Sequence, residues 1–339
     1  MSKKLLLGIV VIVVAAVVTT ACSKKNDSYD YLVLVNKYTH LPDDWEENIK
    51  LVDTKNAWDE DIQVEEKAYE AYKKLEKELK DEGVIIKLDS TYRSVADQQE
   101  LWDRWSKDPE KGIDYVRKYV AVPGYSEHHT GLAIDICLEK DGELVFENED
   151  MIADRDTFAI IHSKLAKYGF ILRYLEGRED STGYTYEPWH LRYINDPDTA
   201  KKIMDSNMTL EEYLDQENDL VNNKQAAIYH IEKKLQEEFR EMYKDQITNS
   251  RFNVTKIYTK KDGKEDETIK GLNLGDHDLA FEVTYQLKPA EGVDINLLMI
   301  TDGVYNEELE WVTDISRLGI MRQDPDTKAL TLENFGTGW

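Results

Sequence analysis

The sequence is short of thiols. Its 339 residues contain two cysteines, Cys22 and Cys137, and with Cys22 inside a leader-like segment no intramolecular disulfide is left to staple an exported chain. Cys137 lies in an apolar stretch and is expected to be a buried, inert thiol. Positive charge is also scarce: 43 Lys and Arg stand against 68 Asp and Glu, a formal charge of -25. Such a chain repels polyanions, nucleic acid among them, and anionic lipid headgroups. Neither Ser-x-x-Lys nor Gly-x-Ser-x-Gly occurs, which removes two established frames for a serine nucleophile.

One long apolar run opens the chain. Lys3 and Lys4 precede an unbroken stretch of apolar residues and glycine from Leu5 to Val18, followed by Thr19, Thr20, Ala21 and Cys22, the layout of a secretory signal. A cysteine directly after Ala21, with polar residues behind it, resembles a bacterial lipobox in which Thr19 replaces the usual leucine. That resemblance implies a lipid on Cys22 and a chain anchored on the extracellular face of the membrane. The alternative is a plain membrane span, for which about 17 apolar residues is near the lower limit. Either arrangement leaves the remainder outside.

The length suits two folded units, and an apolar fraction of 41% with 20 tyrosines argues for packed cores. We divide the chain into a signal and anchor (1–22), a polar tether (23–30), a first domain (31–207), an acidic linker (208–223) and a second domain (224–339). In the first domain, Val64, Ala68, Ala71, Tyr72, Leu75 and Leu79 recur at helical spacing, with Gly83 as a C-terminal cap. Val84 to Tyr92 is β-rich. Ser94 and Asp97 read as a capping box before a helix whose Leu101, Trp102 and Trp105 face inward. Asp141-Gly142 closes a hairpin after the strand Leu132 to Leu138, and a later helix ends near Tyr168-Gly169, ahead of a short strand, Phe170 to Tyr174. The pattern predicts an α+β fold with a mostly antiparallel sheet. In the second domain a long helix buries Ile228, Ile231, Leu235, Phe239 and Met242, and Leu279, Phe281, Val283, Tyr285 and Leu287 alternate along a strand. This reads as a small α+β unit, a helix on a curved sheet, with no catalytic motif.

Three stretches carry chemistry: Ser90-Thr91-Tyr92-Arg93-Ser94 with Gln98, Ser126 through Asp135, and Glu187-Pro188-Trp189-His190. Catalytic zinc takes three protein ligands and leaves one position for water. His128, Asp135 and His190 can supply that set, and a carboxylate off the metal is needed as the base. Glu187 is placed for it. In a flat strand Glu187 and His190 would point to opposite faces, so a bend or bulge at Pro188 is expected to turn both into one cleft.

These stretches resemble the VanY-type D-alanyl-D-alanine carboxypeptidases, zinc peptidases that share a fold with hedgehog domains. The pattern Ser-x-His-x-x-Gly-x-Ala-x-Asp followed by Glu-x-Trp-His is matched from Ser126 to Asp135 and from Glu187 to His190, with Ser-x-Tyr-Arg-Ser and Gln98 upstream. Leu34-Val35-Asn36-Lys37, Leu41-Pro42 and Gly169 to Tyr174 extend the likeness over about residues 30 to 195. The resemblance implies zinc on His128, Asp135 and His190, with Glu187 as base. It implies Arg93 on the oxyanion or on the substrate's terminal carboxylate, and Ser126 and Gln98 as substrate contacts. Bottom-up chemistry agrees on Arg93, because releasing a C-terminal residue calls for a cation that can grip a carboxylate in two places. The implied substrate is the peptidoglycan stem peptide, cut between D-Ala and D-Ala or, alternatively, between L-Lys and D-Ala. A non-catalytic wall-binding module is the reading from another class, and Glu187, which such a module would not need, argues against it.

His40, His162, His230 and His277 are expected to be structural, His129 to line the cleft wall, and Trp189 to pack. Residues beyond about 209 lie outside the resemblance. Their helix and strands suggest a partner-binding or spacing role, and deletion from Thr209 onward is expected to leave hydrolysis intact.

Overall fold

The computed structural model describes residues 30–109, 112, 120–262, 269, 271–298, 302–307 and 309–338. The signal segment, Cys22 and nearly all of the tether lie outside those residues. Among the described residues no helix is long and apolar enough to cross a membrane.

The first core forms where the helix Glu66–Asp81 lays Ala68, Tyr72, Leu75 and Leu79 against an antiparallel sheet. Gly83 follows that helix with a positive φ of 83°, as its cap reading requires. Of this sheet we label β1 Ile85–Ser90, β2 Ala133–Lys140, β3 Glu143–Val145, β4 Phe170–Tyr174 and β5 Glu187–Tyr193. The order is β1-β2-β5-β4, with β3 added beside β2, so β2 and β5 are the central strands. The turn Asp141-Gly142 carries positive φ at both positions and joins β2 to β3, as the sequence predicts. Arg155–Leu165 packs on the same core through Phe158, Ile161 and Leu165. In the helix Val95–Ser106, Ser94 caps Asp97 N–H at 3.0 Å, but only Trp102 of the three expected inward residues is fully buried, and Gln98 is buried beside it. Cys137 is buried with no partner sulfur, and burial pushes its thiol up to about 11.

The stretch expected to be a linker is a correction. A capping box at Thr209 and Glu212 starts the helix Leu210–Gln216, whose Leu210, Tyr213 and Leu214 are buried against Leu34, Ile171, Ile194 and Ile203. The polar count of 208–223 hid three apolar residues at helical spacing. This helix belongs to the first core.

The second unit lays Lys224–Tyr243 on an antiparallel sheet that we label β6 Ile247–Tyr258, β7 Leu279–Pro289, β8 Val304–Asn306, β9 Trp311–Gln323 and β10 Leu330–Gly336. The order β8-β9-β7-β6, with β10 beside β9, is the helix-on-sheet arrangement expected. Leu279, Phe281, Val283, Tyr285 and Leu287 all face its core. Met242 does not: it is 64% exposed, and Tyr243, one residue on, packs on the core through Phe239 in its place.

The two units share a polar seam. Glu232, 3% exposed, accepts from Thr39 Oγ1 at 2.9 Å and from Val254 N–H at 3.1 Å, and has no cation beside it. Burial pushes its carboxyl up to about 8, against the pull of those two hydrogen bonds. In the unfolded chain the group titrates near 4.3. Between about pH 4.5 and 8 the folded protein therefore holds a proton that the unfolded chain has released, and stability falls as pH rises through that window. Glu232→Gln, which cannot ionise, is expected to raise Tm relative to the parent at pH 8.5 and to give no gain at pH 5. Calorimetry at both pH values checks this, and an equal Tm difference at both would reject it.

Candidate metal centre

Asp135 and His190 are directly opposite each other on β2 and β5. His128 comes from the single turn Glu127–Thr130 that precedes β2. That turn ends at Gly131, φ 66°, where a Cβ would meet Ile49 Cδ1 at 2.6 Å; glycine is required both for the left-handed backbone and for the close approach. The expected irregularity at Pro188 is present. Leu172 pairs with Leu191 and Tyr174 with Glu187, so Pro188, Trp189 and His190 together oppose Arg173 alone. The bulge brings Glu187 Oε2 to 3.7 Å from His190 Nδ1. His162, placed in the structural class by sequence, holds the bulge by donating from Nε2 to the Pro188 carbonyl at 2.9 Å. Trp189 packs against the first core.

The ring nitrogens declare which atoms are free. His128 Nδ1 donates to the Thr91 carbonyl at 2.6 Å, leaving Nε2 3.1 Å from Asp135 Oδ2. His190 Nε2 donates to Glu127 Oε2 at 2.9 Å, leaving Nδ1 2.9 Å from Asp135 Oδ1. Asp135 Oδ1 nevertheless makes no hydrogen bond: with the ring proton on Nε2, Nδ1 has none to give. One ligand atom from each of His128, Asp135 and His190 lies within 4.8 Å of the others. Convergent lone pairs with an orphaned buried oxygen are what a small cation satisfies. The local field agrees, for burial alone would lower His190, yet the negative charges of Asp135 and Glu127 raise it, surroundings that favour a cation at this place. Two imidazoles and one carboxylate suit zinc, with each histidine steered by a hydrogen bond from its far nitrogen.

Around these ligands stand two carboxylates of different character. Burial lifts Glu187 to about 7, against the pull of His190, the range useful to a base at neutral pH. Asp89, which sequence reading passed over, is pushed up to about 6 by burial and by Asp135.

The residue that sequence reasoning missed outright is Glu127. It fills an open position of the motif, and nothing in its immediate neighbours announces a role. Its side chain is fully buried, receiving Arg173 Nε at 2.7 Å, Arg192 Nη1 at 2.8 Å and His190 Nε2. Burial works to raise its carboxyl, but the two guanidiniums outweigh that and hold it well below the usual carboxylate range. Arg173 in turn is gripped by Glu211 through Nη1 and Nη2 at 2.8 and 2.7 Å. A buried chain of charges, Glu211 to Arg173 to Glu127 to His190, thus fixes the tautomer and orientation of one ligand from the helix Leu210–Gln216.

Arg93 follows β1 and donates from Nη1 to Gln98 Oε1 at 3.0 Å. Gln98, expected as a substrate contact, is 1% exposed and also donates to the Ala121 carbonyl at 2.7 Å. Its amide is committed to holding Arg93, so we correct its role to positioning. His129 is likewise not a wall residue: it is fully buried, donates from Nδ1 to the Arg93 carbonyl at 2.6 Å and accepts from Gly124 N–H at 3.1 Å. Burial lowers it to about 4, which keeps it a neutral strut. Ser126, 5% exposed, leads into the His128 turn. His40 and His230 bond backbone carbonyls, and His277 is exposed.

Residues 61–196 match the family model described as VanY, D-alanyl-D-alanine carboxypeptidase. The chain is 37% identical over 188 residues to "Putative carboxypeptidase YodJ" of Bacillus subtilis (strain 168), covering 54% of this chain and 67% of that one. It is 42% identical over 134 residues to the bifunctional D-Ala-D-Ala dipeptidase and D-Ala-D-Ala carboxypeptidase VanXYC of Enterococcus gallinarum, covering 38% and 66%. The chain thus spans about two thirds of the length of these curated relatives. Among solved structures it is similar to the LdcB LD-carboxypeptidase, with 36% identity, 55% and 86% coverage and a TM-score of 0.48. A further likeness is to a VanY D,D-pentapeptidase variant solved with Zn(II), with 28% identity, 55% and 99% coverage and a TM-score of 0.44. On the match of residues 61–196 and the identity to these curated relatives, the chain belongs to the VanY family of D-alanyl-D-alanine carboxypeptidases.

Proposed function

We propose that this protein is a zinc carboxypeptidase that releases the C-terminal D-alanine from peptidoglycan stem peptides. The observation that carries the reading is a raised, half-buried carboxyl, Glu187, 3.7 Å from the free ring nitrogen of His190. His128 Nε2, Asp135 and His190 Nδ1 would hold the metal, which supplies Lewis acidity toward the scissile carbonyl and toward water. Glu187 takes one proton from the attacking water as the C–O bond forms. It then gives that proton to the departing amine as the C–N bond breaks, so it ends as it began. Arg93, held by Gln98, pairs with the terminal carboxylate or with the developing oxyanion; a donor at the oxyanion is worth about 3 kcal/mol of barrier.

The D,D bond is the primary reading, from the family matched and the curated relatives' names. The L,D bond of the tetrapeptide is the second, favoured by the likeness to LdcB. We assay residues 30–339 for metal content and for D-alanine release from synthetic pentapeptide and tetrapeptide stems. The expected result is one bound zinc, release from the pentapeptide, loss of release with a chelator and recovery with added zinc. Insensitivity to penicillin is expected too, because no serine nucleophile takes part. Zinc bound with both peptides untouched would turn the reading toward the wall-binding module.

The leader places the enzyme on the outer face of the membrane through a lipid on Cys22, a reading supported by the residue pattern 3–27 alone. Metabolic labelling with a fatty acid tests it. Label that persists in Cys22→Ala would overturn it.

A further inference from the structure

Within a chain carrying 25 more acidic than basic residues, a guanidinium drawn out of solvent with no carboxylate beside it is unusual. Among the described residues, every arginine that is not fully exposed lies within 4 Å of a carboxylate except two, Arg93 and Arg251. Arg93 is the one already assigned to the substrate. Arg251, on β6 of the second unit, shares its isolation. Its hydrogen bond runs from Nε to the Lys37 carbonyl at 3.0 Å, and its buried Nη1 has no partner. The guanidinium is held by ring faces instead, 4.6 Å from the centroid of Tyr125 and 4.2 Å from that of Trp311. Cation–π contacts fix a guanidinium in place without neutralising it.

The position relative to the metal ligands follows from a row of rings. Tyr174 lies 4.6 Å from His190, and Tyr184 lies 4.7 Å from Tyr174. Lys37 Nζ sits 4.6 Å over the Tyr184 ring, and it too makes no ion pair within 4 Å of a carboxylate among the described residues. Tyr125, beneath Arg251, immediately precedes Ser126. This wall stands on the β4 side of the sheet, whereas Arg93 follows β1 at the opposite side, with the ligand strands β2 and β5 between them. A peptide whose terminal carboxylate is at Arg93 therefore runs its acyl portion toward Lys37 and Arg251.

We propose that the second unit completes the substrate cleft, with Arg251 and Lys37 forming a subsite for a carboxylate carried by the peptide upstream of the cleaved bond. The inference deepens the carboxypeptidase reading and rests on it. Arginine suits the task because its planar donors fit a carboxylate and its charge does not titrate. Trp311 and Tyr125 hold the fork so that it is set before the peptide arrives.

The test uses residues 30–339 with zinc and two synthetic stem peptides that differ only in the upstream acidic residue, one with its carboxylate free and one with it amidated. In the parent protein the ratio of kcat/KM, free over amidated, is expected to be about 10 to 100, the size of one charge-assisted hydrogen bond. Arg251→Met is expected to bring that ratio close to 1, and Arg251→Lys to leave it between. A purely structural role would lower both peptides alike and leave the ratio unchanged, which overturns the proposal. So does a ratio near 1 in the parent, a measurement that does not depend on whether a variant folds. If the parent cleaves neither peptide, the carboxypeptidase reading itself fails, and that outcome is distinct from equal cleavage of both.

Discussion

Glu187→Gln is expected to lower kcat for D-alanine release by about a thousandfold or more while zinc remains bound at one per chain. The glutamine keeps the volume and one acceptor of the side chain but cannot take a proton, and general acid–base catalysis is worth roughly a hundredfold to ten-thousandfold for one proton transfer. Here the same carboxyl serves two transfers, from water and to the amine. The ligand set does not include Glu187, so metal content by mass spectrometry or atomic absorption separates loss of the base from loss of the metal. Retained turnover with full zinc occupancy would remove Glu187 from the mechanism, and Asp89, the other carboxyl raised into a useful range, would be the group to test next.

Two truncations are expected to behave oppositely. A chain ending at Asn207 lacks Glu211, which leaves Arg173 with Glu127 alone and Asn36 without its buried carboxylate. Breaking a buried ion pair in this way costs about 3–5 kcal/mol, a large part of the roughly 5–15 kcal/mol by which a folded protein is stable. It also uncovers Leu34, Ile171, Ile194 and Ile203. We expect that chain to be insoluble or to lose its cooperative thermal transition. A chain ending at Glu217 keeps the helix Leu210–Gln216, and is expected to fold, bind zinc and hydrolyse the amidated peptide. The expectation that everything after Thr209 is dispensable thus fails by a few residues, for a definite reason: the charge chain that steadies His190 begins at Glu211. Circular dichroism melts and zinc content of the two truncations check this. A folded, zinc-loaded chain ending at Asn207 would show that Glu127 and Arg173 need no support from Glu211.

The legible part of the centre was local. His128, Asp135, Glu187 and His190 are specified by residue type and spacing, because a metal site needs particular atoms and the turns that aim them leave glycine and proline at Gly131 and Pro188. Even the bulge could be inferred, since period-two geometry and a shared cleft cannot both hold in a flat strand. Gln98 and His129 show where that reasoning stopped. Their residue types suited a cleft, and only the packing around Ala121, Gly124 and the Arg93 backbone turned them into supports.

Sequence alone pointed to the candidate ligand set and the proposed base, and determined the antiparallel α+β character and the presence of a second helix-on-sheet unit, because each leaves a short-range pattern in residue type or periodicity. Tertiary structure decided what is long-range. Glu127 meets Arg173, Arg192 and His190 across separations of 46, 65 and 63 residues, and Arg251 reaches the Lys37 carbonyl across 214. A charge reads the same in a sequence whether it is solvated, paired or held bare between two rings, and only the fold, by choosing its neighbours, settles which.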